Sequence, residues 1–262
     1  LQTLHSCISA VYPKDKFQLV VIADNCQENP ADIARQAGVR VLERFDDHNK
    51  GKGFALAFAL SILLKEHFDA FLVIDADCTI DAHALLALNA SLTNGYGAAQ
   101  LNNVVANPDA SSMTYALAVG NYLENMLFYS PKSRIGWAVL LRGTGMLITR
   151  EALLTVPWQA YSVTEDVEYG MRLLQMGQRV VFIDNARVLS PFPVDRQQLQ
   201  VQRKRWASGT LSFSRKEAVK TIINGLRKQH WLMIDSGLTF LMLSKPLLLL
   251  CSGGALLLAI GS

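Results

Sequence analysis

Short apolar runs alternate with stretches of helical spacing over the first two hundred residues. Gln18 to Ala23 is an apolar, β-branched run closed by Asp24, which predicts a buried strand. Pro30 to Ala37 has helical spacing and stops at Gly38, and Val39 to Leu42 predicts a second strand. A polar loop then runs through Gly53, a helix is expected from Phe54 to Glu66, and Ala70 to Ile74 reads as a third strand. This β-α-β-α-β order predicts an α/β fold, an open and mostly parallel sheet with helices on both faces, which binds ligands at the carboxyl ends of its strands. Beyond Asp77 the pattern predicts helices around Ala82 to Leu92 and Met113 to Phe128. Strands are expected over Ala98 to Val104, Val139 to Thr149 and Val180 to Ile183.

The pattern changes near residue 210. From Ser208 to Gln229, Leu211, Phe213, Ile222, Ile223 and Leu226 mix with five cationic side chains, a composition suited either to a helix on a membrane surface or to a solvated helix packed on the core. Leu238 to Ile260 is nearly all apolar, with Lys245 and Pro246 the main interruptions. About 20 such residues suffice to cross a bilayer, the other reading being a buried core helix. Arg215, Lys216, Lys220, Arg227 and Lys228 precede the run and Trp231 stands at its edge, as expected of a span whose preceding part is cytoplasmic. The resulting division is 1–210 as the main domain, 211–230 as an interfacial amphipathic helix and 231–262 as a membrane-spanning segment.

Composition narrows the function classes. The formal charge of +3 comes from 25 basic and 22 acidic residues, too balanced for a dedicated nucleic-acid binder. Cys7, Cys26, Cys78 and Cys251 form no C-x-x-C pair, so neither a disulfide framework nor a zinc site is indicated, and a reducing setting fits. The opening segment carries His5, Lys14 and Asp15 and builds no signal-peptide run.

The candidate chemistry is acidic. Asp75 and Asp77 follow an apolar strand two residues apart, so both carboxylates can project to one side at its mouth and hold a divalent ion beside a nucleotide diphosphate. Capping of the next helix is the plainer role for such a pair. Asp24 closes the first strand at the same edge. Thr164-Glu165-Asp166 opens an amphipathic helix from Val167 to Met176, where an acidic residue also serves as a first-turn charge. Gln202-Arg203-Lys204-Arg205-Trp206 sets two guanidinium groups beside an aromatic ring.

Asp24, D-A-D at 75–77, T-E-D at 164–166 and Q-R-K-R-W at 202–206, in that order over roughly residues 18 to 210, resemble the family 2 glycosyltransferases. The resemblance is greatest to their processive, membrane-bound branch of cellulose, chitin, hyaluronan and poly-N-acetylglucosamine synthases. It implies a GT-A-like nucleotide-binding fold, a UDP-sugar donor, a glycan or lipid-linked acceptor, and Mg2+ or Mn2+ as cofactor. It also implies an inner-membrane location with the catalytic domain in the cytoplasm, where a membrane-protein partner has a place. By the same resemblance Asp24 contacts the uracil, Asp75 the ribose or diphosphate, Asp77 the metal, and Gln202 and Arg205 the diphosphate. Lys50 or Lys52 in N-K-G-K-G stands near the nucleotide, a flexible glycine turn being the other reading of that loop. Trp206, Arg142, Gly143 and Glu165 fall at the acceptor site, with Gly145 in the same R-G-T-G, and Asp166 is the general base.

An Asp base that takes a hydroxyl proton as the sugar is attacked fits direct displacement with inversion. Family members begin with a strand and a Pro- and Asn/Glu-bearing loop, whereas Leu1 falls inside what reads as the following helix, so a fragment lacking the first strand is expected. A non-processive lipid glycosyltransferase and an inactive nucleotide-sugar-binding module stand as the alternative functions.

Overall fold

The computed structural model describes residues 1–242 except 28, 196, 199, 201–203 and 205–216. The chain divides into two compact units, Leu1–Trp206 and Ala207–Ser262.

In the first unit, α1 (Gln2–Ile8) is followed by β1 (Val20–Asp24), α2 (Pro30–Gln36), β2 (Arg40–Arg44) and α3 (Lys52–Leu63). Next come β3 (Ala70–Val73), β4 (Thr79–Ile80), α4 (Ala84–Thr93) and β5 (Ala98–Val105). α5 (Ser112–Leu123) passes into a π-helical turn (Glu124–Tyr129) and α6 (Ser130–Arg134), then β6 (Met146–Thr149), α7 (Arg150–Thr155), α8 (Glu165–Gln175) and β7 (Val180–Ser190). β1 and β2 form a parallel pair, and the other strands form a sheet of order β3-β6-β5-β7-β4.

The elements lie where periodicity placed them, but the sheet is mixed rather than mostly parallel. β1 with β2 and β5 with β7 run parallel, while β3 with β6, β5 with β6 and β4 with β7 run antiparallel. A wholly apolar strand reports that both its faces are covered and says nothing of its neighbours' direction. The expected strand from Val139 is also shortened to Met146–Thr149. Gly143 and Gly145 adopt φ of +78° and +68°, conformations that break a strand and that glycine adopts without strain.

Two apolar cores confirm helices on both faces. Strand side chains alternate, so Ala98, Met146, Ile148 and Val180 enter one core with Leu56, Leu60, Leu153 and Leu173, which brings α3, α7 and α8 onto that face. Ala99, Leu147 and Val181 enter the other, with Cys7, Ala84 and Leu88 of α1 and α4. The β5–β7 register jumps from Leu101 opposite Ile183 to Asn102 opposite Arg187, a bulge that lets β7 run on to Ser190.

In the second unit, a helix over 217–228 (α9) turns at Gln229, with φ of +52°, into α10 (Trp231–Met242). Gly225 lies against Ile234 and Gly237 against Ile222, so small residues bring the two helices close. Among the described residues no helix is long and apolar enough to cross a membrane, and most of the stretch from Leu238 to Ile260 lies outside them.

A methyl group at Gly145 would stand 2.7 Å from Val188 Cγ1 and 3.0 Å from Leu101 Cβ, at a φ that side chains rarely adopt. Gly145→Ala is therefore expected to lower unfolding free energy by about 2–5 kcal/mol, read as a shifted denaturant midpoint. A midpoint equal to that of the parent protein would contradict this packing.

Candidate active site

The acidic residues fall at the ends of strands and the start of a helix, and those near Lys52 converge. Asp24 is the last residue of β1, Asp75 and Asp77 follow β3, and Glu165 and Asp166 open α8. Lys52, the first residue of α3 after Gly51 at φ of +120°, brings its ammonium to Asp75. Its Nζ donates to Asp75 Oδ1 and to the Gly143 carbonyl. A methyl at Gly143 would lie 3.4 Å from Asp166 Oδ2 and 3.7 Å from Lys52 Nζ, so this glycine lets backbone, carboxylate and ammonium meet. Of the two lysines in N-K-G-K-G, the fold brings Lys52 to the cluster, while Lys50 pairs with Asp47 at 3.3 Å in an exposed position.

The loop from Arg142 to Gly145 is fixed from below. Thr144 Oγ1 accepts the Asp75 N–H at 3.1 Å, and buried Gln100 accepts the Arg142 N–H at 2.8 Å while donating to the Thr144 carbonyl at 2.8 Å. The Arg142 guanidinium donates to Asn125 Oδ1, stands 3.6 Å from Glu124 and lies 5.2 Å from the centre of the Tyr129 ring. The π-helical turn supplies all three of these partners.

Electrostatics separates the two carboxyls of T-E-D from ordinary ones. Burial, opposed by the Val167 N–H and the Lys52 charge, raises Asp166 to about 6. Burial and repulsion from Asp166 raise Glu165 to about 7. Desolvation disfavours the charged form of each, leaving groups able to take up a proton near neutral pH.

Asp75, Asp77 and Cys78 can bring one ligand atom each within 4.8 Å of one another. Hard carboxylate oxygens at a strand mouth fit Mg2+ or Mn2+ completed by phosphate oxygens. The Cys78 thiol donates to Asp77 Oδ1 at 3.3 Å and also meets Ser190 Oγ at 3.3 Å. Burial pushes this thiol up to about 11, so it serves as a neutral hydrogen-bond donor.

Asp24, Lys52, Asp75, Asp77, Arg142, Gly143, Glu165 and Asp166 are thus placed along or beside the strand ends. Gln202, Arg205 and Trp206 lie outside the described residues. Sequence reading missed Thr144, Gln100 and Asn125, which bond to residues distant in the chain, and Arg44 at the end of β2, which pairs with Asp24 twenty residues earlier. It also passed over Cys78, although that residue directly follows the acidic pair.

A family model described as glycosyltransferase like family 2 matches residues 1–209. The chain is 24% identical over 217 residues to a probable glycosyltransferase, YdaM, of Bacillus subtilis (strain 168), covering 79% of this chain and 51% of that protein. It is 22% identical over 224 residues to a probable glycosyltransferase of Sulfolobus acidocaldarius, covering 81% and 47%. The chain spans about half the length of these curated relatives. Among solved structures, mannosyltransferase PcManGT from Pyrobaculum calidifontis, in complex with GDP-Man and Mn2+, superposes with a TM-score of 0.62 at 19% identity, covering 98% of this chain and 75% of that one. GalNAc-T7 with UDP, GalNAc and Mn2+ gives 0.55 at 14% identity, covering 74% and 40%. At such identities the likeness shows the fold, a mixed α/β architecture of GT-A type.

The raised carboxyls make stability depend on pH in a definite direction. Between the ordinary carboxylate range, about 4, and these raised values, the folded protein holds protons that the unfolded chain releases. The contribution of these two groups is therefore fully present below about 4 and is lost as pH rises through about 6 and about 7. Moving from pH 5 to pH 8 is expected to lower the denaturant midpoint of the parent protein more than that of Glu165→Gln or Asp166→Asn. Parallel shifts in all three would contradict the assignment.

Proposed function

Since the chain belongs to glycosyltransferase-like family 2, we propose that it transfers a sugar from a UDP-sugar to a glycan or lipid-linked acceptor, with inversion, in polysaccharide synthesis. The observation that carries this reading is the meeting of Lys52, Asp75, Gly143 and Asp166, from four separate segments, at the carboxyl edge of the strands. The apolar run from Leu238 to Ile260 supports a location at the cytoplasmic face of a membrane.

In this reading Asp24 receives the base of the donor and Asp75 its ribose or diphosphate. Asp77, with Asp75 beside it, would hold Mg2+ or Mn2+, which when bound supplies positive charge for the leaving diphosphate. Asp166 Oδ2, facing the Gly143 backbone, accepts the proton of the acceptor hydroxyl as that oxygen attacks the anomeric carbon. Attack opposite the departing diphosphate inverts the centre. With a proton affinity near 6, Asp166 is mostly ionised at neutral pH yet basic enough to take that proton. Lys52 balances the charge of Asp75 and Asp166, and Arg142, braced by Asn125 and Glu124, borders the acceptor side with Gly143 and Glu165. The resemblance in Q-R-K-R-W supports Gln202 and Arg205 as further diphosphate ligands and Trp206 as an apolar wall for the acceptor sugar.

The test is UDP release from a panel of UDP-sugars by membranes carrying the full-length protein, with and without Mg2+ or Mn2+. Asp166→Asn is expected to lower the turnover rate about a hundredfold or more while retaining UDP binding. Asp77→Ala is expected to abolish the metal dependence. Undiminished release by Asp166→Asn would remove the base assignment, and UDP binding without release by the parent protein would make the chain a binding module.

A further inference from the structure

At the ends of β1 and β2 lies a second charged assembly that the reaction above leaves unexplained. Arg44, the last residue of β2, is a buried guanidinium with 9% of its side chain exposed. It donates to Asp24 Oδ1 at 2.7 Å through one nitrogen, and to Asp46 Oδ2 and the Asn49 carbonyl, both at 2.7 Å, through the other. Asn25, at φ of +53°, closes the assembly. Its Oδ1 accepts the Asp46 N–H at 2.8 Å, which turns its Nδ2 toward Asp24 Oδ1 at 3.1 Å. Asp46 in turn accepts the N–H groups of His48 and Asn49, and these bonds pull it down to about 2, so it stays an anion over the whole working range.

The consequence lies in the arithmetic of acceptors. Each oxygen of an ionised carboxylate has room for about two hydrogen bonds. Asp24 Oδ1 already accepts two, from Arg44 and Asn25. Oδ2 accepts none among the described residues, and the side chain keeps 18% of its surface exposed. Asp24 therefore offers an incoming base one oxygen. Uracil presents a single ring N–H between two carbonyls and is satisfied by that oxygen. Guanine presents a ring N–H and an adjacent amino group side by side. It matches a carboxylate only when both oxygens are free, and otherwise buries an unpaired donor.

We propose that Arg44 is a specificity-determining residue, which with Asn25 occupies one oxygen of Asp24 and so selects a donor base with a single N–H over guanine. The inference rests on the donor-binding reading of Asp24 given above. Arg44 acts through Asp24 without touching the base, so it is a positioning residue. Charge reinforces the arrangement, because a guanidinium held between the carboxylates of Asp24 and Asp46 makes short charge-assisted bonds that fix the orientation of Asp24. Lysine keeps the charge but lacks the planar fork that reaches both acids at once.

The experiment is calorimetric titration of the full-length protein with UDP and with GDP in the presence of Mn2+, for the parent protein and for Arg44→Gln, Arg44→Lys and Asn25→Gly. The last variant accepts the positive φ, leaves Arg44 in place, and removes the Nδ2 bond to Asp24 together with the Oδ1 acceptor of the Asp46 N–H, so it tests the same idea if loss of Arg44 impairs folding. The parent protein is expected to prefer UDP by about tenfold or more. Arg44→Gln and Asn25→Gly should shrink that preference severalfold, Arg44→Lys less so, with the metal dependence of binding unchanged in all three. Uniform weakening of both nucleotides with the ratio preserved would reduce Arg44 to a structural role and overturn the proposal, as would a parent protein that binds both equally. A parent protein that binds neither nucleotide would overturn the donor reading itself, and this inference with it.

Discussion

The site depends on one cation placed among several carboxylates. Asp75 arrives after β3 and Glu165 and Asp166 at the start of α8, and like charges brought together at a half-buried edge repel one another and lose hydration. The Lys52 ammonium offsets this by donating to Asp75 and to the Gly143 carbonyl beside Asp166. It does so incompletely, because Glu165 and Asp166 still bind protons more tightly than ordinary carboxyls. That residue of unfavourable charge is chemically useful. A fully neutralised Asp166 would be a weak base, and an uncompensated one would stay protonated.

Backbone geometry makes the meeting possible. Lys52 can open α3 at the edge because Gly51 turns the chain at φ of +120°. Gly53, one residue on, admits the Ala160 carbonyl to a point 2.2 Å from where a side chain would begin, and Trp158 Nε1 donates to the Gly53 carbonyl at 3.0 Å. The start of α3 is therefore bound to the segment that leads into T-E-D, and Asp166 and the Lys52 ammonium are positioned by one contact surface. Gly143 serves the same end, since its φ of +78° suits glycine and its backbone lies within contact of both Lys52 and Asp166.

A polar network under the site links its two halves. Arg142 is held by Asn125, which donates to Asn102 Oδ1 and the Asn103 carbonyl. Asn103 Oδ1 accepts from Ser190 Oγ, and Ser190 meets the Cys78 thiol that donates to Asp77. Buried polar groups of this kind are tolerated because each finds a partner, and together they give the loop and the acidic turn a common support. The π-helical turn that carries Asn125 fits the tendency of such turns to sit at functional sites.

The sequence by itself determined the elements and the candidate acidic groups. Apolar runs and helical spacing located the strands and helices, and D-A-D and T-E-D fell at strand and helix ends because acidic residues there are compatible with exposed mouths and helix first turns. Only the tertiary structure decided strand direction, since an apolar run carries no vector, and so it turned an expected parallel sheet into a mixed one. It also chose Lys52 over Lys50 and coupled Arg44 to Asp24 and Cys78 to Ser190, pairs separated by 20 and 112 positions. Periodicity reports which face of an element is buried. Which charge meets which is settled by how those faces pack, and no local pattern encodes that.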